Sequence, residues 1–264
     1  MKIAIIGAGN LGKSIAKGLI KNHSCTQLYL TKRNTEKLTE FKTLSNVFIS
    51  SNNEEAVNNS NILIFAVQPR QFETVLKQLT PFLKIDHLLI STVTGFSITK
   101  IEKLTGTDKS IVRAMPNTAI AVCKSMTCIC NNAIAKNKIS MACNIFNQLG
   151  TTLLIPENQM QAATVVCASG IAFWMRLIRA TTQAAIQLGF DAKDAQKLAM
   201  HTSQGAANLL ISTKNHPEQE IDKVTTPKGC TIEGLNEMEH KGLSSALIQG
   251  MVTSFNKINF IKKS

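Results

Sequence analysis

The chain opens with Lys2-Ile3-Ala4-Ile5-Ile6-Gly7-Ala8-Gly9-Asn10-Leu11-Gly12, and this stretch decides its fold class. The apolar run before Gly7 is typical of a buried strand, and apolar residues from Ile15 to Ile20 recur at helical spacing. Between a strand and a helix, the first glycine permits a tight turn, the second lets the backbone approach a pyrophosphate, and the third lets helix and strand pack closely. The stretch therefore predicts a dinucleotide site formed by Gly7, Ala8, Gly9, Asn10, Leu11 and Gly12.

Apolar runs alternate with helical patterns as far as residue 156. The further strand candidates are Gln27–Leu30, Val47–Ile49, Ile62–Val67, His87–Ser91, Ser110–Met115, Met126–Ile129 and Thr152–Ile155. This alternation predicts an α/β fold with a Rossmann-type, doubly wound parallel sheet. Ligands bind at the carboxyl ends of the strands of such a sheet, an edge that collects residues 7–12, 31–33, 67–69, 92–95 and 116–118.

The second strand candidate is followed by Thr31, Lys32 and Arg33, which bear on the choice of dinucleotide. A site that prefers NAD usually has Asp or Glu here to bind the ribose 2′-hydroxyl, but this chain has no carboxylate before Glu36. A hydroxyl, an ammonium and a guanidinium suit a 2′-phosphate, which Arg binds with two parallel hydrogen bonds. We therefore expect NADPH as the cofactor, with NADH as a weaker alternative.

The net charge is +12, from 29 Lys and Arg against 17 Asp and Glu. Residues 1–156 carry 18 basic and 8 acidic side chains, whereas residues 157–264 carry 11 and 9. This asymmetry fits an anionic cofactor on the first half. Nucleic-acid binding would also need basic charge, but the chain has no zinc-finger spacing or aromatic RNA-binding strand, and one Trp and one Tyr offer little base stacking.

Seven cysteines without an export signal indicate a reduced, cytoplasmic protein. The N-terminal apolar run is short and leads into the glycine turn instead of a cleavage site. The longest apolar segment, Ala162–Met175, falls short of the roughly 20 residues that span a bilayer, so we expect no membrane association. Cys128 and Cys130 have no partners at metal-ligand spacing, and we expect buried thiols and no metal site.

After Pro156 the pattern becomes entirely helical, which predicts two domains, 1–156 and 157–264. The first helix, about Asn158 to Gln187, is apolar nearly all round and must be covered on every side. The short remainder of this half cannot easily cover it. We therefore expect a homodimer, or a higher homo-oligomer built from dimers.

A second informative stretch runs Val224-Thr225-Thr226-Pro227-Lys228-Gly229-Cys230-Thr231-Ile232-Glu233-Gly234-Leu235. A Pro-Lys-Gly turn that enters a helix at Cys230 and Thr231 offers free backbone N–H groups and a hydroxyl, which suit a small carboxylate. A surface loop with an ordinary helix cap is the alternative interpretation. For the nearby His216, a loop or capping role is favoured over a catalytic one.

These motifs resemble the pyrroline-5-carboxylate reductase family over essentially the whole chain. The resemblance is carried by residues 7–12, Arg113-Ala114-Met115-Pro116-Asn117-Thr118, Val166–Phe173, and His216 through Leu235. In that family an N-terminal Rossmann domain holds NAD(P)H and an all-helical dimerisation domain interleaves with that of its dimer mate. The resemblance implies a shared active site in which L-1-pyrroline-5-carboxylate, a cyclic imino acid, is reduced to L-proline by hydride transfer to the C=N carbon.

The resemblance also assigns residues by position. On the cofactor side, Asn10 and Leu11 meet the phosphates, Asn53 supports the adenosine phosphate end, Ala66, Val67, Gln68 and Pro69 flank the adenine ribose, and Thr94, Gly95 and Asn117 lie along the nicotinamide. On the substrate side, the assigned residues are Ser169 and Gly170 together with Val224, Gly229, Cys230 and Thr231 of the other subunit. Thr231 is the catalytic candidate, as a hydroxyl that bonds to the ring nitrogen or relays a proton.

The chain departs from the common family pattern at four positions. Ile171 and Phe173 replace a Pro and a Tyr, Gln68 replaces a Lys, and Ala119 replaces a Pro. The first two leave two alternatives open: a reductase of another cyclic imine or ketone on the same scaffold, and an NADPH-binding regulator without turnover.

Overall fold

The computed structural model describes residues 1–261, and eight strands in its first part form one sheet. The strands are β1 Lys2–Ile6, β2 Gln27–Thr31, β3 Val47–Ser50, β4 Ile62–Phe65, β5 Leu88–Ser91, β6 Ser110–Met115, β7 Ser125–Asn131 and β8 Gly150–Leu154. They lie in the order β3-β2-β1-β4-β5-β6-β7-β8. The order reverses beside β1, as in a doubly wound sheet, and the predicted fold class is confirmed.

One pair of strands departs from the predicted parallel arrangement. β7 runs antiparallel to β6, with Val112 opposite Asn131 and Met115 opposite Cys128, while β7 and β8 are parallel to each other. The connection of residues 116–124 between β6 and β7 contains only one short 3₁₀ turn, Thr118–Val122. A parallel crossover needs a dozen residues or more, so this connection returns the chain in the opposite direction.

Helices cover both faces of the sheet. They are α1 Asn10–Lys21, α2 Asn53–Asn58, α3 Pro69–Leu79, α4 Ile98–Thr105, α5 Ile139–Asn147 and α6 Met160–Ala163. Alternate residues of β1 point into separate cores: Ile3 and Ile5 pack with α1 residues, whereas Ala4 and Ile6 pack with Phe65 and Phe72. Both cores contain fully buried aliphatic and aromatic side chains, so the sheet is covered on both sides.

The rest of the described chain is helical, with no strand after Leu154 as far as residue 261. A π-helical segment, Thr164–Ser169, leads into α7 Gly170–Gln187, α8 Ala192–Thr213, α9 Pro217–Val224, α10 Cys230–His240 and α11 Leu243–Ile261. Two compact units result: Met1–Ser169 together with the part of α11 from Phe255, and Gly170–Ser254. Within the first unit, Gln161 Nε2 donates to the carbonyl of Phe255 at 3.1 Å. The domain boundary at 156/157 stays a prediction.

The helical unit Gly170–Ser254 has almost no interior of its own. Only Gly170, Thr182, Ala195 and Ala199 are buried in it. Large apolar side chains are instead open to solvent, among them Trp174 (61%), Phe190 (50%) and Ile211 (73%). A single copy of this unit therefore leaves an extensive apolar surface uncovered.

The helical stretch Glu157–Gln187 is longer than the apolar segment considered in the sequence. By length and composition it is able to cross a membrane, with a mean hydropathy of 1.4 in its most apolar window, of which 22% is buried. An apolar helix of a soluble subunit interface has the same character. Length and composition alone therefore do not assign this stretch to a membrane.

Candidate active site

The glycine turn between β1 and α1 has little room for side chains except at its middle glycine. Gly7 has a φ of +94°, and a Cβ there would lie 2.5 Å from Cγ1 of Val67. A Cβ on Gly12 would lie 2.6 Å from the carbonyl oxygen of Gly7. A Cβ on Gly9 would meet nothing within 4 Å. Gly9 therefore faces open space, where a ligand is able to approach the backbone.

The N-terminus of α1 is available to an anion. Gly9 is its N-cap, no side chain caps it, and the first turn contains no acidic residue. The first N–H groups of a helix have no intrahelical acceptor and carry the positive end of the helix dipole. Asn10 and Leu11 lie in this turn, so the backbone is arranged as a dinucleotide phosphate site requires.

The three residues after the second strand candidate occupy different environments. Thr31 is buried, and its hydroxyl accepts from Gly7 N at 3.3 Å and donates to Ile5 O at 3.4 Å. Lys32 Nζ donates to Ala8 O at 2.9 Å. Arg33 is exposed, and among the described residues it has no hydrogen bond or ion pair. Thr31 and Lys32 thus stabilise the glycine turn by hydrogen bonds to its backbone, while the Arg33 guanidinium is accessible to a ligand.

Desolvation of the ammonium lowers the pKa of Lys32 below its usual value, with smaller contributions from the positive charges of Lys13 and Lys37. Lys13 is paired with Glu40 at 2.9 Å, whereas Lys32 and Lys37 have no ion pair among the described residues. The local electrostatics therefore favour a negatively charged ligand at this end of the sheet.

The other residues assigned to the adenosine end lie at the same sheet edge. Asn53 is half-buried in the first turn of α2, whose N-cap is Asn52. Ala66 and Val67 are half-buried after β4, while Gln68 and Pro69 are exposed at the start of α3. Their contact with a cofactor stays a prediction.

Thr94 and Gly95, which follow β5, line a cavity of about 290 Å³. The cavity is also lined by Ser97, Arg113, Glu157 and Thr164. Asn117 is already engaged: its Oδ1 accepts from Ala119 N at 3.0 Å, and its Nδ2 donates to Cys167 O at 3.0 Å. Asn117 therefore fixes the π-helical segment to the end of β6, and its role toward nicotinamide stays a prediction.

An ion pair in this cavity was not identified by sequence reasoning. Arg113 Nη1 lies 2.9 Å from Glu157 Oε1, which also accepts from Ile98 N at 2.6 Å. Arg113 is only 7% exposed, and its Nε has no partner among the described residues. The available signal was a charged residue inside an otherwise apolar strand, since such a residue is rarely buried unless paired. The pair positions the start of α4 beside Thr94 and Gly95.

The second motif forms a turn and a helix start within the helical unit. Lys228 has a φ of +57°, and Gly229 N donates to Thr226 O at 2.9 Å. Gly229 is the N-cap of α10 and no side chain caps this helix, which begins at Cys230 and Thr231. The first turn of α10 thus presents free N–H groups beside the Thr231 hydroxyl, as the carboxylate interpretation requires.

The remaining assigned residues have distinct exposures. Val224 is exposed at the end of α9, Ser169 is exposed at the end of the π-helical segment, and Gly170 is buried. His216 caps α9: its Nδ1 accepts from Glu218 N at 3.3 Å, and its N–H donates to Gln219 Oε1 at 3.1 Å. The capping interpretation of His216 is confirmed.

No group of three or more His, Cys, Asp or Glu side chains arranged to hold a metal ion occurs among the described residues. The seven cysteines form no disulfide.

Comparison with known proteins gives a family match for each part of the chain. Residues 2–95 match the family model "NADP oxidoreductase coenzyme F420-dependent", and residues 157–260 match "Pyrroline-5-carboxylate reductase dimerisation". Pyrroline-5-carboxylate reductase 2 of Dictyostelium discoideum is 42% identical over 97% of this chain and 91% of that protein. The chain belongs to the pyrroline-5-carboxylate reductase family.

Other relatives agree with this membership. Pyrroline-5-carboxylate reductase 1 of Dictyostelium discoideum is 44% identical over 97% of this chain, which spans 49% of that relative's length. The solved pyrroline-5-carboxylate reductase of Coxiella burnetii is 29% identical over 100% of this chain and 99% of its own, with a TM-score of 0.90. The Plasmodium falciparum pyrroline carboxylate reductase with NADP bound shares the fold, with a TM-score of 0.90 at 24% identity and coverage of 99% and 98%. The NADP oxidoreductase match of residues 2–95 agrees with the predicted cofactor class, and the family resemblance seen in the sequence is confirmed.

Proposed function

We propose that this protein reduces L-1-pyrroline-5-carboxylate to L-proline with NADPH as the reductant. The observation that carries the proposal is the 42% identity to a named pyrroline-5-carboxylate reductase over nearly the full length of both chains. The glycine turn and the turn at Gly229 both lie inside that similarity, and each has the local geometry that its assigned role needs.

The residues at the cofactor end fit NADPH. The open space over Gly9 and the uncapped N-terminus of α1 suit the pyrophosphate. Arg33 is free to bind a 2′-phosphate, and Lys32 adds positive charge beside it. When bound, NADPH supplies the hydride for the C=N carbon. The protein's own contribution is to align this cofactor with the substrate and to hold the substrate's charges.

At the substrate end, we assign the carboxylate to the first N–H groups of α10, at Cys230 and Thr231, with Gly229 as the N-cap that lets the backbone approach it. The Thr231 hydroxyl then lies on the same helix turn as the bound carboxylate, within reach of the ring nitrogen. There it stabilises the protonated imine or relays its proton. Ser169, Gly170 and Val224 complete the enclosure in this proposal.

We infer that the working form is a cytoplasmic homodimer, or an oligomer of dimers, with domains 1–156 and 157–264. Support comes from the match of residues 157–260 to a dimerisation family and from the uncovered apolar side chains of Gly170–Ser254. Burying such a surface against an identical copy provides the missing interior. In this arrangement the α10 turn of one subunit serves the cofactor site of the other.

The substrate assignment is tested by following nicotinamide absorbance with purified protein, NADPH or NADH, and a panel of cyclic imines. The panel varies ring size and includes a ring without the carboxylate. We expect the fastest oxidation with NADPH and L-1-pyrroline-5-carboxylate.

Preference for another ring would instead assign the protein to a different imine, an outcome to which Ile171 and Phe173 are relevant. A folded protein that binds NADPH but oxidises it with no member of the panel would support the regulator alternative and refute the proposal.

A further inference from the structure

Two thiols face each other beside the residues assigned to the nicotinamide. Cys128 lies on β7 and Cys167 lies in the π-helical segment, with their Sγ atoms 3.7 Å apart. Both residues belong to the first compact unit. A disulfide needs the sulfur atoms to approach to about 2.05 Å, so closure requires a shift of only about 1.6 Å.

The two thiols are chemically unequal. Cys128 is buried, whereas Cys167 is half-buried and more accessible to solvent. Hydrogen bonding from Cys128, partly opposed by desolvation, lowers the pKa of Cys167 to about 7. The same hydrogen bond, together with burial, raises the pKa of Cys128. Cys167 is therefore the more accessible thiol and the one whose ionisation is favoured, and Cys128 is the resolving thiol beside it.

Three other cysteines of this unit are poorly suited to be the attacking thiolate. Burial raises the pKa of Cys25 and Cys143, and it raises that of Cys130 to about 11. Their thiols stay protonated at neutral pH, and a protonated thiol is a poor nucleophile. Among the described cysteines, only Cys128 and Cys167 have sulfur atoms within hydrogen-bonding distance of each other, so the geometry selects this pair.

We propose that Cys128 and Cys167 form a reversible disulfide when the protein meets a hydroperoxide. The Cys167 thiolate attacks one peroxide oxygen, an S–O bond forms, the O–O bond breaks, and the hydroxide released takes up a proton as water. The Cys128 sulfur then attacks the Cys167 sulfur, the S–O bond breaks, and a second water leaves with the Cys128 proton. Two thiols are oxidised by two electrons in total, and one peroxide is reduced to two waters when hydrogen peroxide is the oxidant.

The Cys128–Cys167 disulfide would displace residues that lie near the assigned nicotinamide and substrate groups. The Cys167 carbonyl accepts from Asn117 Nδ2, and Ser169 follows two residues later. Cys128 is opposite Met115, whose Sδ lies 4.0 Å from Thr94 Oγ1. A π-helical segment is an irregular and adaptable part of a helix. We therefore expect the shift to fall on Thr164–Ser169 and to displace Ser169.

The effect on catalysis rests on the proposed reductase function. Displacing substrate-binding groups by about 1 Å costs up to roughly 10²-fold in rate. We expect oxidation to lower kcat/KM about 10- to 100-fold and a dithiol reductant to restore it. The disulfide would thus couple proline production to the supply of reducing equivalents.

To test the proposal, the whole chain is treated with hydrogen peroxide and its remaining free thiols are blocked with N-ethylmaleimide. Its tryptic peptides are then analysed by mass spectrometry. Cleavage gives peptide 125–136, with Cys128 and Cys130, and peptide 139–176, with Cys143 and Cys167. We expect these peptides to be joined with the loss of two hydrogen atoms, and dithiothreitol to separate them. Quantitative labelling of all four thiols after peroxide would overturn the proposal.

Matched variants identify the bonded pair. The link should vanish in Cys128→Ser and Cys167→Ser but persist in Cys130→Ser and Cys143→Ser, with NADPH binding as the check on folding. Persistence of the link in either of the first two variants would assign it to other cysteines and refute the pair.

If the disulfide forms without lowering kcat/KM, the proposed effect of the disulfide on the active site is wrong. A link that forms in a protein inactive both before and after reduction would contradict the proposed reductase function and uphold the disulfide.

Discussion

The two compact units differ in where their apolar side chains lie. Residues 1–169 surround a sheet with two buried cores, in which side chains such as Phe146 are fully inaccessible. Residues 170–254 form helices of comparable hydrophobicity and bury only four residues. The first unit thus satisfies its hydrophobic pattern within one chain, whereas a single copy of the second leaves that pattern exposed. The residues that match a dimerisation family, 157–260, include this exposed unit.

The largest expected effect contrasts two phenylalanines. Phe146→Ala removes a fully buried ring of the first unit, and we expect it to lower the free energy of unfolding by about 3–5 kcal/mol. Phe190→Ala, at a position 50% exposed in the second unit, should cost less than half as much in dilute protein. Urea unfolding followed by circular dichroism measures both. Equal losses would mean that the second unit has a core of its own and would remove the contrast.

Assembly is tested by two isoleucines of similar exposure. Ile211 in the second unit is 73% exposed and Ile85 in the first is 70% exposed. Ile211→Asp would bury an unpaired carboxylate at the inferred interface and raise the dimer dissociation constant by at least about 10²-fold. Ile85→Asp, in the first unit, should leave the dimer dissociation constant unchanged.

Sedimentation velocity gives the dissociation constants of these variants, and Trp174, the single tryptophan, reports on the second unit by a red shift of its emission on dissociation. A monomeric parent protein would refute the inferred interface.

Smaller effects are expected from variants at Thr231 and Gly9, which distinguish a role in substrate binding from a role in cofactor binding. Thr231→Val removes the hydroxyl at the α10 turn and should lower kcat/KM about 10- to 100-fold while the NADPH dissociation constant stays the same. Thr231→Ser should recover most of the activity. Gly9→Ala, which meets no clash within the chain, should instead weaken NADPH binding and leave the melting temperature unchanged.

Steady-state kinetics and NADPH fluorescence titration measure these changes. A Thr231→Val enzyme with the parent's kcat/KM would remove Thr231 from the mechanism.

The smallest expected effect concerns the coenzyme preference within the first unit. Arg33→Ala should reduce the preference for NADPH over NADH about tenfold, because one charge-assisted contact to the 2′-phosphate is lost. Lys37→Ala removes the same charge from a position without an assigned contact and serves as the control. Similar losses in both variants would indicate a general field effect instead of a specific contact.

The sequence predicted the sheet and the glycine turn well because both depend on local patterns. Residues that are adjacent in sequence are enough to recognise the glycine spacing at residues 7–12 and the apolar run of β4. The direction of β7 depends on the length of the connection before it, which periodicity does not register. Likewise the burial of Thr31 and the pairing of Arg113 with Glu157 depend on contacts between residues far apart in sequence.

The first unit is discontinuous in the sequence, because Phe255 of α11 groups with it and accepts a hydrogen bond from Gln161. A ribosome releases residues 1–169 long before this contact becomes available, and residues 170–254 must emerge in between. The first unit is therefore complete only after the residues from Phe255 onward have been synthesised. A premature stop before Phe255 would remove this contact from the first unit, although the lost residues lie in the helical part of the sequence.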